Sequence, residues 1–363
     1  MTGKKGRVTV FQFFALLFTA RVLIVLFING SFTGGNHFLD NVISCLLGAL
    51  ANCVLALPLY FLYRAQPAVS VPAGTVQLAH KAGRLAPAYY TVYFVLIDSI
   101  YLSLFQLFMA NVMEPNAVTW VLGLVTVAAA CYAACLGLEA IVRAAVVMMV
   151  IVLLGTALIL SGLFGRMDWL HLRPLFFEGP RQALQGCIVA LGFGSELPAL
   201  AILMPHVKGK RLRGFLWWNA LTYGFTALVI FAAVAACGDY LNNQLFPLYT
   251  AASVAHLSIL ERMDVLFVIA WMGGLFLKLA VDFHMIRQCT GLVCKRANHP
   301  AAIFVAGAVV FVVTQVVFSS LAVQKILLNI WVALVLSLVA SAGVPLVLLA
   351  MRRRKCRREA QHP

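Results

Sequence analysis

Residues 191–198 read Leu-Gly-Phe-Gly-Ser-Glu-Leu-Pro and lie inside an otherwise apolar segment, 184–204. Glycine gives the backbone freedom and proline lacks an N–H, so this stretch predicts an interruption in a helix long enough to cross a membrane. An interrupted helix exposes amides at one half and carbonyls at the other, which can bind a ligand where the interruption lines a cavity. A simple kink at Pro198 is the alternative interpretation.

The composition around this segment is that of a membrane protein. Of the 363 residues, 63% are hydrophobic and 11% are charged, and the mean hydropathy is +0.96. Soluble proteins average about 45–50% apolar and about 25% charged residues. The apolar stretches are continuous and do not alternate as barrel strands do, so they favour helices. The sequence therefore predicts an all-α polytopic membrane protein in which residues 1–363 form one integral-membrane domain.

Apolar windows between polar segments predict about ten transmembrane helices. The first is predicted to be a retained span and not a cleaved signal peptide, because the apolar run continues to Ile28. Residues 238–262 are too polar to cross and are predicted to form an external loop with a short surface helix. The predicted spans are 9–28, 41–62, 87–112, 117–136, 140–164, 184–204, 214–237, 264–287, 300–322 and 326–350.

Basic residues give the predicted orientation. They are dense in Lys-Gly-Lys-Arg-Leu-Arg at 208–213 and in Arg-Arg-Arg-Lys-Cys-Arg-Arg at 352–358. Positively charged loops stay in the cytoplasm, so both termini are predicted to be cytoplasmic. The same loops account for the net charge of +15. A basic segment beside a span faces anionic headgroups, so we expect membrane lipid and no nucleic acid as a partner.

Four ionisable residues are predicted to lie at membrane depth: Arg21, Asp98, Glu196 and Lys278. Each would cost about 2.5–3.5 kcal/mol at a helix centre if it stayed unpaired. Their formal charges sum to zero, which is expected if they pair or line a polar pathway. Structural ion pairs that fix helix packing are the alternative. Asp282 follows Lys278 by four residues, so the two can share a helix face and form a local pair.

The sequence offers little for other chemistry. It contains no GxSxG, HExxH or phosphate-binding GxxxxGK motif, and its nine cysteines form no CxxC pair. We therefore expect no enzymatic activity, no cofactor and no metal site. Glu139 and Arg143 are spaced for an interfacial ion pair or for a contact with a partner.

Four segments of the chain form a recognisable set. They are Phe11-Gln12-Phe13-Phe14 running to Ala20-Arg21, CYAACLGLEAIVRAA (131–145), LGFGSELPALAILMPHVKGKRLRG (191–214) and LERMDVLFVIAWMGGLFLKLAVDFH (260–284). Together they resemble the endospore-germination permeases, the B subunits of nutrient germinant receptors in the amino acid–polyamine–organocation superfamily. They occur in the family's order and span most of the chain.

The resemblance implies an amino acid permease fold with a 5+5 inverted repeat. Repeat one would cover about 9–164 and repeat two about 184–350, followed by the basic tail 351–363. In such folds the first span of each repeat is broken and together they form the ligand site. The first span carries no glycine or proline at mid-depth, whereas the sixth does. The implied ligand-binding residues are Gly192, Phe193, Gly194, Ser195, Glu196, Arg21 and Asp98.

The resemblance also implies a function and partners. A germinant receptor subunit would bind a small nutrient, often an amino acid, and signal with A and C subunits in the inner membrane of the spore. Lys278, with Asp282, would act as a fixed cation where related carriers place a sodium ion. Two alternatives share the architecture: a secondary amino acid transporter coupled to protons or sodium, with Asp98 or Glu196 as the protonated group, and a ligand-gated ion channel.

Overall fold

The computed structural model describes residues 8–22, 37–113, 118–174, 177, 179–256, 263–294, 299–319 and 326–361. The end of the predicted first span, 23–28, and the end of the predicted external loop, 257–262, lie outside these residues. Helices dominate the described chain. A short parallel pair of strands, β1 (Val8–Thr9) and β2 (Val207–Lys208), ties the start of the chain to the segment after residue 206.

The helices follow the predicted apolar windows closely. The described α-helices are α1 (Val10–Val22), α2 (Asn41–Ala65), α3 (Val71–Gly83), α4 (Leu85–Phe108), α5 (Thr119–Leu136), α6 (Leu138–Phe164), α7 (Pro180–Gly192), α8 (Glu196–Leu203), α9 (Arg211–Cys237), α10 (Pro247–Val254), α11 (Asp264–Val293), α12 (Ala301–Ser319), α13 (Ile330–Leu338) and α14 (Val344–Gln361). Two π-helical segments, Met109–Met113 and Val339–Gly343, extend α4 and join α13 to α14.

The membrane class is confirmed. Eight helical segments of the described chain are long and apolar enough to cross a bilayer. Two shorter apolar helices, Val10–Val22 and Ala301–Val317, coincide with the predicted first and ninth spans. The number of ten spans, the inverted repeat and its boundaries stay predictions.

Three membrane segments form the centre of the bundle. In the most apolar 18 residues of each, the buried share is 83% for 180–206, 78% for 85–112 and 61% for 264–293, against 28–44% for the other five. The outer helices leave large apolar side chains exposed, such as Leu154 and Trp217. In a membrane protein these side chains face lipid, so low burial marks the periphery and high burial marks where a site can form.

Two regions between predicted spans contain helices. The region between spans two and three contains α3, whose first turn holds Pro72, a residue suited to a helix start. Helix α10 lies in the predicted external loop, where a short surface helix was expected. Between α5 and α6 the only residue outside a helix is Gly137, whose φ of +93° is a conformation that favours glycine.

Candidate functional site

The predicted interruption lies between α7 and α8. Helix α7 ends at Gly192, the next three residues are not helical, and α8 begins at Glu196. Pro198 stands in the first turn of α8, where its missing N–H breaks no bond within that helix. A continuous helix would have used that N–H to satisfy the carbonyl of Gly194. Proline therefore frees this carbonyl, and the absence of a side chain at Gly194 leaves room for Arg21, whose Nη1 would lie 2.2 Å from a Cβ at this position.

Hydroxyl groups from two other helices bind the freed carbonyls. Tyr101 donates to the carbonyl of Phe193 at 3.0 Å, and Tyr93 donates to that of Gly194 at 3.1 Å. Ser337 of α13 lies 3.3 Å from the same Gly194 oxygen. An unpaired backbone carbonyl buried in a bilayer costs several kcal/mol, so these hydroxyls make the interruption tolerable.

A buried ion pair lies on one side of the interruption. Arg21 Nη1 is 2.7 Å from Glu196 Oε2, and the two side chains are 4% and 7% exposed. Arg21 Nη2 donates to the Tyr223 hydroxyl at 2.8 Å, and the guanidinium carbon lies 4.9 Å from the centre of that ring. Glu196 stands in the first turn of α8, where the helix dipole favours a negative charge. The pair therefore joins α1 to the second half of the broken helix.

A second charged cluster lies on the other side. Lys278 Nζ donates to Asp282 Oδ2 at 2.5 Å and to Ser195 Oγ at 2.9 Å, and it is 3.5 Å from Asp98 Oδ1. The ammonium also lies 4.8 Å from the centre of the Tyr101 ring. The local i,i+4 pair and the inward-pointing lysine, posed as alternatives from the sequence, are both present. We call Asp98, Lys278 and Asp282 the charged triad.

The two clusters meet at adjacent residues. Ser195 contacts Lys278 of the charged triad and Glu196 contacts Arg21, so ionic groups hold the junction between the unwound stretch and α8. The ion pair is formally neutral. The charged triad is not, because Asp282 is buried with the others and adds a second carboxyl group.

The site is closed in this conformation. Phe193 is fully buried, and Ser195 and Glu196 are each 6% exposed. Three cavities of the described structure, of about 50, 590 and 540 Å³, have no lining residue from 192–196. A ligand at the interruption therefore requires the bundle to open, as in carriers that alternate between conformations.

The structure brings all of the predicted site residues to this one region. It adds four that the sequence analysis missed: Tyr93, Tyr101, Tyr223 and Ser337. The first two belong to a pattern in α4, in which Tyr90, Tyr93 and Tyr101 recur with Asp98 at helical spacing. Polar residues on one face of a membrane helix indicate that this face is turned into the bundle, so the pattern was enough to predict Tyr93 and Tyr101 as site residues. Glu139 and Arg143 form an exposed ion pair at 2.5 Å, away from this region.

Fold and site together define a polytopic helical permease with an interrupted helix and buried charges at its centre. The model of the spore germination protein family matches residues 7–323, so the chain belongs to this family of spore permeases. No curated protein matches the sequence significantly.

Among solved structures, the fold is similar to that of a Na⁺-coupled sialic acid symporter in a substrate-bound, outward-open state. The TM-score is 0.62 and the identity is 15%, over 94% of this chain and 79% of that chain. The similarity establishes a transporter fold and does not transfer that protein's substrate to this one.

Proposed function

We propose that this protein is the permease-type subunit of a spore germinant receptor and that it binds a small nutrient, an amino acid, at the interruption between α7 and α8. The observation that carries the proposal is the unwound stretch 193–195, held between a buried arginine and a buried lysine. Family membership supports the germination role, and the transporter fold supports a small-molecule ligand.

The charges at the site suit a zwitterion. The amides of Glu196 and Leu197 at the start of α8 have no carbonyl partner within that helix, and Ser195 provides no side-chain cap. A ligand carboxylate placed there would meet these amides and the guanidinium of Arg21. The ligand ammonium would bind the carboxylate of Glu196 or of Asp98. Lys278 would stay a fixed cation, in the position of a coupling ion, anchored by Asp282.

Binding would act by selecting one bundle conformation. The closed site exchanges with an open form, and a ligand that binds one form better shifts the equilibrium toward it. In the receptor, this shift would be passed to A and C subunits in the inner membrane of the spore, with both termini of this chain in the cytoplasm. Germination would follow without net uptake of the nutrient.

Secondary transport is the second candidate function. The similarity to a Na⁺-coupled symporter favours it, because a fold that alternates between conformations can also move its ligand. The two functions differ in one measurable respect. A receptor binds the nutrient without accumulating it, whereas a carrier accumulates it in liposomes under a proton or sodium gradient.

The experiment uses the purified protein in lipid nanodiscs and in liposomes, with a panel of L-amino acids as probes. We expect saturable binding of at least one amino acid, and we expect Glu196→Gln to weaken it at least tenfold by removing a carboxylate proposed to bind the ligand ammonium. Glu139→Gln, which changes an exposed ion pair elsewhere, is the matched control and should bind like the wild type. Equal affinity in both variants would remove Glu196 from the site.

A further inference from the structure

The charged triad contains one more acid than base. We propose that Asp98 and Asp282 share one exchangeable proton, which makes the charged triad neutral and turns it into a proton-binding site beside the interrupted helix. The proposal depends on the geometry of the charged triad and holds whether or not a nutrient binds at the interruption. It commits to a proton as the ligand and to two carboxyl groups as its site.

The first argument is charge balance. Lys278, Asp98 and Asp282 are each at most 2% exposed. One ammonium cannot neutralise two carboxylates, so full ionisation leaves one negative charge in the interior of a membrane protein, where charges are costly. A proton on either carboxyl removes that charge. The other carboxylate stays ionised and keeps its ion pair with Lys278.

The second argument is hydrogen bonding. Asp98 Oδ2 is buried and has no hydrogen-bond partner in the described part of the chain. The carboxyl groups of Asp98 and Asp282 approach the same ammonium group, at 3.5 Å and 2.5 Å from Lys278 Nζ, so they lie beside each other. Two ionised carboxylates can only accept, so neither can satisfy the other. With one proton between them, one carboxyl becomes a donor and the other can accept from it, as in carboxyl pairs that share a site.

Among the residues that the structure describes, the other groups around the charged triad supply no further positive charge. Tyr101 of α4 places its ring beside Lys278, and its hydroxyl donates to the carbonyl of Phe193. The hydroxyl of Tyr93, in the same helix, donates to the carbonyl of Gly194. Beyond the interruption, Arg21 is already paired with Glu196. Ser99, next to Asp98, donates to a backbone carbonyl of its own helix and lies within hydrogen-bond distance of a backbone carbonyl of α12. Thr314 of α12 donates to the carbonyl of Ser99, and both hydroxyl side chains are uncharged.

The proton site is linked to the interruption through one ammonium group. Lys278 divides its donors between Asp282 at 2.5 Å, Ser195 at 2.9 Å and Asp98 at a longer 3.5 Å. Loss of the shared proton makes both carboxylates compete for the ammonium, which draws Lys278 toward Asp98 and weakens its bond to Ser195. Occupancy of the proton site therefore biases whether residues 193–195 stay held in the closed form.

Infrared spectroscopy tests the proposal directly, because a protonated carboxylic acid has a carbonyl stretching band that an ionised carboxylate lacks. The wild-type protein in lipid nanodiscs is measured at neutral pH, in H₂O and in D₂O. We expect one such band, shifted by deuterium, that disappears in Asp98→Asn and also in Asp282→Asn, since a single remaining carboxylate pairs with Lys278. Glu139→Gln and Glu196→Gln, which change carboxylates outside the charged triad, should keep the band.

Lys278→Met provides a second, opposite test. Without the ammonium, both carboxyls become protonated, so the band should grow to about twice its wild-type area. If an asparagine variant fails to fold, the spectra of the wild type and of Lys278→Met still test the proposal. A wild-type spectrum without the band, a band that survives in both asparagine variants, or an unchanged band in a folded Lys278→Met protein would each overturn the proposal.

Discussion

Replacing Gly194 with alanine tests whether the Arg21–Glu196 ion pair requires a residue without a side chain at position 194. An alanine Cβ at this position would lie 2.2 Å from Arg21 Nη1 and 2.8 Å from Glu196 Oε2. It would also lie 2.9 Å from the carbonyl oxygen of Ala190. Ordinary contact begins at 3.4 Å, so the guanidinium must retreat by about 1.2 Å from the glycine. The substitution therefore acts on the ion pair while both charged groups stay in the protein.

The expected cost follows from the ion pair. Removing one member of a buried pair costs about 3–5 kcal/mol, because the other charge is left uncompensated. Alanine displaces the guanidinium without removing it, and Arg21 can keep its contact with Tyr223. We therefore expect a loss of about 2–3 kcal/mol in the free energy of unfolding. We also expect weaker nutrient binding, since the displaced guanidinium is part of the proposed site.

The assay compares thermal unfolding and amino acid binding of the purified variants, together with their abundance in the membrane. Gly224→Ala is the matched control, because a Cβ at Gly224 in α9 meets no atom within 4 Å. Alanine favours a helix over glycine by about 0.8–1.0 kcal/mol, so the control should be as stable as the wild type or slightly more stable. If Gly194→Ala unfolds and binds like Gly224→Ala, the ion pair does not depend on this glycine and the argument fails.

Two further predictions concern single hydrogen bonds. Tyr101→Phe should cost about 1–3 kcal/mol in unfolding experiments, because it removes the hydroxyl that donates to the buried carbonyl of Phe193. Tyr132→Phe, at an exposed tyrosine, should cost nothing measurable, and equal stabilities of the two variants would contradict this role for Tyr101. Arg211→Gln should lower abundance and stability, because Arg211 donates to the backbone carbonyls of Val207 and Pro67. Lys208→Gln, in the same basic loop, should leave both unchanged. Equal losses in the two variants would mean that the charge of the loop, and not these hydrogen bonds, is what matters.

The positions of the membrane helices could be predicted well from the sequence, because insertion into a bilayer requires a long apolar segment. A span must be apolar over about 20 residues, so hydropathy located α9, predicted at 214–237 and found at Arg211–Cys237. The interruption was predictable for a similar reason. Pro198 removes an N–H group from its own backbone, so its effect on the helix needs no knowledge of neighbouring helices. Gly194 differs, because a Cβ at this position would meet Arg21 of α1.

The contacts across the bundle could not be predicted in the same way. Arg21 and Glu196 are 175 positions apart, and hydropathy says nothing about how one helix is rotated toward another. The charge balance predicted from four residues was incomplete, since Asp282 joins the interior and leaves an odd number of charges. Local spacing predicts its pair with Lys278 but does not predict that Asp98 approaches the same lysine.

Taken together, the two clusters explain how the interruption could respond to a ligand. Ser195 is held by Lys278 and Glu196 by Arg21, so this part of the chain cannot move freely while both contacts persist. Separating a buried ion pair without compensation is costly. Under the proposed function, a zwitterion brings one carboxylate and one ammonium, and it can therefore replace both halves of the Arg21–Glu196 pair as they separate. A ligand with a single charge would compensate only one of them, so binding of amino acids should be lost when either their carboxylate or their ammonium is blocked.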